Sequence, residues 1–242
     1  MPNTYFQFKD FIVHQDRSAM KVTTEACLFG AWVAGNAQKD FLAKSNVKAL
    51  DIGGGTGLLS LMLAQKSGAS ITMIEIDQEA AAQARENIAV SRWSKRIEVI
   101  NENITAFLPR ERFDLICANP PFYEHSLKSP EKKINFARHD AGLSLIQLLN
   151  CVDLLLENNG IFYLIFPASR LNELLSEAAK SQLFPVSQVW VRQTEKHEVF
   201  RVMIGLARFF KNEPAFEIIT IRNQGVYSEQ FIALLKDYYI NL

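Results

Sequence analysis

The sequence predicts an α/β fold built on a mostly parallel sheet, and three observations carry that expectation. Strand-like apolar runs alternate with helix-length periodic segments from Val47 to Ala118, the βαβαβ rhythm that parallel pairing requires. The run Val47-Lys48-Ala49-Leu50 feeds Asp51-Ile52-Gly53-Gly54-Gly55-Thr56-Gly57, which opens directly into Leu58 to Ala64. Strand, glycine turn and helix in that order make a cofactor-binding corner. A second strand-like run, Phe113 to Ala118, ends in Asn119-Pro120-Pro121-Phe122. Ligands of open α/β sheets bind at the carboxyl ends of strands, so both corners are expected to face one crevice.

In chain order, the aromatic and β-branched residues of 5–16 predict a short hairpin turning near Lys9-Asp10. Thr23 or Thr24 caps a helix expected to run to about Ala34, with Glu25 in its first turn and Gly35 just past its end. After the first sheet strand and glycine turn come a helix to about Lys66, a strand from Ser70 to Glu75, a helix from Gln78 to Ser91 and a strand from Arg96 to Ile100. A short helical turn near Ile104 to Phe107 precedes the strand ending at Ala118. Residues 123–137 are polar and long enough to be a functional loop. Next are a helix from Leu143 to Glu157 closed by Asn158-Asn159-Gly160, a strand from Ile161 to Phe166, and a helix from Arg170 to Ser181. Val186 to Arg192 and Phe200 to Phe209 alternate well enough to pair as an antiparallel edge hairpin, with a further strand at Phe216 to Ile221. Ser228 caps a last helix ending near Tyr239. Residues 1–46 thus read as an N-terminal extension of hairpin plus helix packing on the core, and 47–242 as the main domain.

Composition narrows the function. The 242 residues are 48% hydrophobic, enough to bury a sizeable core, and 26 basic residues balance 26 acidic ones. A nucleic-acid partner would therefore meet a local patch and not a global field. Cys27, Cys117 and Cys151 are isolated, and no histidine stands at metal-ligand spacing, so neither a metal nor a disulfide framework is expected. Without an apolar leader or a long apolar run, a cytoplasmic protein that does not engage a membrane is expected, as is a monomer.

The two corners carry the chemistry. A dinucleotide fingerprint starting at Gly53 meets Leu58 where its third glycine belongs. What remains, D-x-G-x-G-x-G with Gly53, Gly55 and Gly57, suits a cofactor without phosphates, and Asp51 can accept from an amino-acid end; S-adenosylmethionine fits that description. Glu75, at the end of the next strand, is placed to accept from both ribose hydroxyls. At the second corner the target is an exocyclic amine, whose lone pair is delocalised into its ring. The Asn119 side-chain oxygen and the Pro120 carbonyl can each accept one amine hydrogen and direct the lone pair, while Phe122 stacks on the ring. Pro120 and Pro121 restrict the backbone, so the acceptor is held and not sampled.

With these motifs the chain resembles class I S-adenosylmethionine-dependent methyltransferases carrying the N-P-P-[YF] motif of amino-methylating enzymes. It is closer still to the tRNA1(Val) adenine-N6 methyltransferase family. The closer likeness rests on Phe6-Gln-Phe-Lys-Asp-Phe, on Asp16-Arg17-Ser18-Ala19-Met20-Lys21-Val22, on Thr24-Glu25-Ala26-Cys27-Leu28-Phe29-Gly30-Ala31-Trp32 and on the tail from Tyr227 to Tyr239. The resemblance implies a Rossmann-like fold with a mostly parallel seven-stranded sheet, a C-terminal antiparallel hairpin and a short N-terminal extension. It implies methyl transfer to adenine 37 at the anticodon arm of a tRNA. Asp51, Gly53, Gly55 and Glu75 map to cofactor contacts, Asn119 to Phe122 to the base pocket, and Asn103 to the position that meets the cofactor adenine. The family's Gly-Thr-Asp-Gly near the N-terminus reads Thr23-Thr24-Glu25-Ala26 here, leaving Lys21 and Thr24 as further cofactor candidates.

RNA contact is expected beside the second corner, where Lys128, Lys132, Lys133 and Arg138 face only Glu131 between residues 126 and 139. The hairpin region 190–211, with Arg192, Lys196, Arg201, Arg208 and Lys211 against Glu195 and Glu198, is a second basic stretch. Three rival readings share parts of the pattern: a glutamine methyltransferase of release factors, a ribosomal RNA guanine-N2 methyltransferase, and a cofactor-binding subunit that docks an active partner. The first two usually carry a larger N-terminal domain, and the intact Asn119 to Phe122 motif speaks against the third.

Overall fold

The computed structural model describes residues 3–41, 44–120, 143–210 and 214–242. The N-terminal hairpin pairs β1 (Tyr5–Gln7) with β2 (Ile12–His14). It docks through Phe8, Phe11 and Val13, all buried, and through the Lys9 N–H, which donates to the Tyr238 carbonyl at 2.8 Å. The Asn87 side chain clasps the same hairpin, accepting from His14 N and donating to His14 O, both at 2.9 Å. Helix α1 (Thr24–Asp40) is capped by the Thr23 hydroxyl, which accepts from Ala26 N at 3.1 Å. It runs past Gly35 and does not stop there, because an interior glycine costs only about 1 kcal/mol. Tertiary contacts extend the helix: the Tyr163 hydroxyl donates to Asp40 Oδ2 at 3.0 Å, and the Tyr163 ring meets Trp32 edge-on at 5.3 Å.

The central sheet is built from β3 (Lys48–Ile52), β4 (Ser70–Glu75), β5 (Ile97–Asn101), β6 (Phe113–Ala118), β7 (Leu156–Pro167), β8 (Phe184–Arg192), β9 (Val199–Ala207) and β10 (Ala215–Thr220). Their order is β10-β8-β9-β7-β6-β3-β4-β5. The run from β7 to β5 is parallel, and β9 pairs antiparallel with both β7 and β8. Among the described residues the sheet thus has eight strands and not the expected seven. β10 adds itself parallel to β8, so the expected edge hairpin lies one strand inside the sheet. Helices α2 (Leu58–Lys66) and α3 (Gln78–Ala89) follow β3 and β4, α4 (Leu145–Leu155) precedes β7, α5 (Leu171–Lys180) follows it, and α6 (Glu229–Leu235) closes the chain. Among the described residues, buried apolar side chains form two clusters. One joins the N-terminal hairpin, α1, α2 and α6, and the other is built around α4 and α5.

Two further boundaries depart from expectation. The Asn158-Asn159-Gly160 stretch is strand and not a helix stop, since α4 ends at Leu155 and Leu156 already pairs with Phe113. Gly160 earns its place by crowding: a Cβ there would lie 2.9 Å from the Asp114 carbonyl oxygen. The last helix, capped by Ser228, ends at Leu235 because the chain turns there to bury Tyr238, whose hydroxyl donates to the Met62 carbonyl at 3.0 Å.

Candidate active site

β3, β4, β5 and β6 are parallel neighbours, so their carboxyl ends share one edge of the sheet. The register pairs Ile52 with Ala118. Gly53 and Asn119 are therefore each the next residue past a paired position on adjacent strands, whose spacing is about 4.8 Å. Glu75 pairs with Asn101 one and two strands over at the same edge.

The glycine turn needs its glycines for different reasons. Gly53, Gly55 and Gly57 have φ of 70°, 57° and 84°, in the left-handed region where a side chain is strained. At Gly54 a Cβ would sit 2.4 Å from Met73 Cγ. Gly53 and Gly54 N–H groups donate to the Ile74 carbonyl at 2.8 and 3.2 Å, folding the turn back on β4. Glu75, buried, locks it from the side: Oε2 accepts from Gly55 N at 2.8 Å and Oε1 from Asp77 N at 2.9 Å. Asn101 Nδ2 donates to the Glu75 and Ile76 carbonyls, and Asn87 Nδ2 to the Thr56 carbonyl. Neither asparagine was singled out by the sequence reading, since an asparagine on a helix or at a strand end carries no pattern of its own.

Asp51 lies beneath this turn and has no exposed surface. Ser60 Oγ donates to its Oδ2 at 2.7 Å, while Oδ1 is a buried acceptor without a partner among the described residues. Burial pushes its pKa up to about 6, against the hydrogen bond from Ser60 that holds it down.

Asn119, half-buried, and Pro120, buried, line a pocket of about 280 Å³ together with Met20, Thr23, Glu25, Ile165, Pro167 and Arg201. A second hollow of about 340 Å³ lies over β4 and β5 around Thr72, Ile100, Phe107 and Arg110, with neither corner in its lining. Across the first pocket Arg201 Nε donates to Glu25 Oε2 at 3.0 Å. The N-terminal segment also reaches the glycine turn, where Ser18 Oγ lies 4.0 Å from the position a Cβ on Gly55 would take. Sequence alone does not place Met20, Thr23, Ile165 and Arg201 at the pocket, nor Ser18 at the glycine turn. The one usable signal was the N-terminal block from Asp16 to Val22.

Three further cofactor candidates already make contacts within the chain or stand at its helix start. Lys21 is engaged, its ammonium donating to the Gln15 and Ser18 carbonyls, and it ties the N-terminal segment together. Thr24 is the first helical residue of α1, while its neighbour Thr23 lines the pocket. The Asn103 oxygen already accepts from Thr105 N and Oγ1, both at 3.0 Å, because a short polar side chain leaving a strand readily caps its own turn. Pro121, Phe122, Lys128, Lys132, Lys133 and Arg138 lie outside the described residues. No metal-binding cluster occurs among the described residues, and their three cysteines are buried and free.

This mostly parallel sheet, with a glycine turn after the interior strand β3 and a carboxylate closing β4, is the fold of class I methyltransferases. Residues 35–139 match the family model described as methyltransferase small domain. The chain is 40% identical to a tRNA1(Val) (adenine(37)-N6)-methyltransferase of Phocaeicola vulgatus and 38% identical to one of Parabacteroides distasonis, over the whole of each chain. It belongs to the tRNA1(Val) (adenine(37)-N6)-methyltransferase family. The fold is also that of the glycopeptide N-methyltransferase MtfA complexed with S-adenosyl-L-methionine. That structure has a TM-score of 0.53 at 14% identity, covering 73% of this chain and 87% of that one. A predicted O-methyltransferase from Agrobacterium tumefaciens gives 0.63 at 18%, covering 90% and 99%.

Proposed function

We propose that the protein transfers a methyl group from S-adenosylmethionine to the N6 amine of an adenine in tRNA, adenine 37 at the anticodon arm of tRNA1(Val) as in its named relatives. The observation that carries this reading is the register of β3 and β6, which sets the Asn119-Pro120 corner beside the glycine turn at one sheet edge. The residues suit the cofactor. The turn offers backbone without side chains, each Glu75 oxygen holds one N–H and keeps a lone pair for a hydroxyl, and Asp51 Oδ1 lacks a donor. When bound, S-adenosylmethionine supplies an electrophilic methyl carbon on a sulfonium centre.

What the chain must add is orientation. Asn119 Oδ1 and the Pro120 carbonyl accept the two amine hydrogens, which localises the nitrogen lone pair and aims it along one line. Met20, Ile165 and Pro167 give the pocket apolar walls for a purine and exclude water. The amine becomes acidic as it gains the methyl group, so a proton is lost to solvent afterwards and no general base precedes transfer. The described helices include none long and apolar enough to cross a membrane. We place the enzyme in the cytoplasm, where tRNA is processed, acting as a monomer whose N-terminal residues 1–46 form an extension on the methyltransferase domain.

Purified chain incubated with labelled S-adenosylmethionine and unmodified tRNA should place label on N6-methyladenosine, mapped by mass spectrometry of nuclease fragments to one anticodon-loop adenine. Label on a release-factor glutamine or a ribosomal RNA guanine, with none on tRNA, would overturn the proposal. Glu75→Ala removes two charge-assisted acceptors from the turn and should weaken cofactor binding about 10- to 100-fold by calorimetry, an interaction of this kind being worth about 1.5–3 kcal/mol. Glu75→Gln, which keeps one acceptor oxygen, should lose less.

A further inference from the structure

We infer that Arg201 is the phosphate-holding residue of the base pocket and grips the RNA backbone beside the extruded adenosine. This inference rests on the RNA reading above.

The register supplies the distance. Ala118 pairs with Leu164 and Pro167 with Arg201, so Asn119 and Arg201 are two strands apart laterally and two residues apart along them. Strand spacing and rise give a diagonal of about 12 Å between the two backbones. An adenine whose amine meets Asn119 lies between them and points its sugar and phosphate toward Arg201. The guanidinium is held for such a role: Nε donates to Glu25 Oε2 at 3.0 Å and Nη1 to the Phe200 carbonyl at 3.2 Å. Its plane is thereby fixed, and Nη2 has no protein partner among the described residues. About a third of the side chain is exposed, at 32%. A planar fork with a free outer nitrogen is the geometry that phosphate oxygens select.

The other described arginines of this hairpin are committed elsewhere. Arg192 Nε donates to Thr220 Oγ1, and Arg208 pairs with Asp153, away from the pocket. Arg201 is the described cation of that stretch that shares a cavity with Asn119. Glu25 holds Nε in place but opposes an approaching anion. A neutral side chain of the same shape in its position keeps the acceptor and drops the repulsion.

The test is direct binding of a synthetic anticodon stem-loop at several salt concentrations, without any methyl transfer. Arg201→Ala should weaken binding about tenfold and lower the salt slope by about one, the signature of one lost phosphate contact. Glu25→Gln should tighten binding a few-fold. A neutral methylphosphonate at one of the two linkages flanking the target adenosine should weaken the wild type about as much as Arg201→Ala does, and should add nothing in that variant. Unchanged affinity and slope in Arg201→Ala would overturn the inference. So would losses that multiply at both linkages, or a loss that appears with adenine targets and vanishes with other bases. Should Arg201→Ala fail to fold, Arg201→Gln takes its place in the salt and methylphosphonate comparisons, with the same outcomes expected and the same outcomes overturning the inference. Because binding is read without catalysis, an enzyme that gripped RNA here but methylated no adenine would sink the proposed function and leave Arg201 standing.

Discussion

Asn119→Ala should lower methyl transfer to tRNA about 100- to 1,000-fold while S-adenosylmethionine binding and the melting temperature stay near wild type. The size follows from what is removed: one preorganised acceptor that acts where charge develops, a class of contact worth about 3–4 kcal/mol in the barrier. The split between activity and binding follows from position. Asn119 stands past the end of β6, while the turn that would hold the cofactor is closed by Glu75 and the Ile74 carbonyl on β4. The loss should fall on kcat, because the Pro120 carbonyl and the apolar walls still admit the base. Steady-state kinetics with calorimetry of the cofactor checks this. A variant that keeps more than a tenth of wild-type turnover would remove Asn119 from the chemistry, and one that loses cofactor binding would make it a structural residue of the turn.

Asp51 should make the cofactor-free protein less stable as pH rises from about 4 to about 7. Burial raises its folded-state pKa from 3.8 to about 6, so the native state binds this proton more tightly than the unfolded chain does. The resulting stabilisation is complete below the unfolded pKa and is lost as pH climbs through the folded one. The shift corresponds to about 3 kcal/mol at most. Asp16 and Asp237 move the other way, their carboxyls lowered by hydrogen bonds, chiefly from backbone at Asp16 and from Lys66 at Asp237. Wild type must therefore be compared with Asp51→Asn at each pH, which cancels every other group. Chemical denaturation should show the wild-type advantage over the variant shrinking by up to about 3 kcal/mol across that interval. A difference that stays flat would mean that Asp51 ionises freely beneath the turn. With cofactor bound the slope should flatten, if Oδ1 then receives its missing donor.

The hairpin at the N-terminus, the alternation of strands and helices from Lys48 to Ala118, and the capping by Thr23 and Ser228 were legible because each is a local preference. Glycine at positive φ, a hydroxyl before a helix and a two-residue alternation leave marks within a few residues. The errors fell where a distant contact overrode a local signal. Gly35 reads as a stop until Tyr163 reaches Asp40, and Asn158-Asn159-Gly160 reads as a turn until Leu156 pairs with Phe113.

The order of motifs along the chain determined, without coordinates, that a glycine-lined cofactor corner and an amine-orienting corner belong to one α/β sheet. Tertiary structure alone decided that Thr23, Glu25 and Arg201, up to 178 positions apart in sequence, wall the pocket beside Asn119. It alone decided, too, that Asp51 is sealed under its turn. The reason is that side-chain periodicity encodes which way a residue faces on its own strand or helix, whereas strand order and register, which bring β9 and the start of α1 to the end of β6, are summed over the packing of the whole chain.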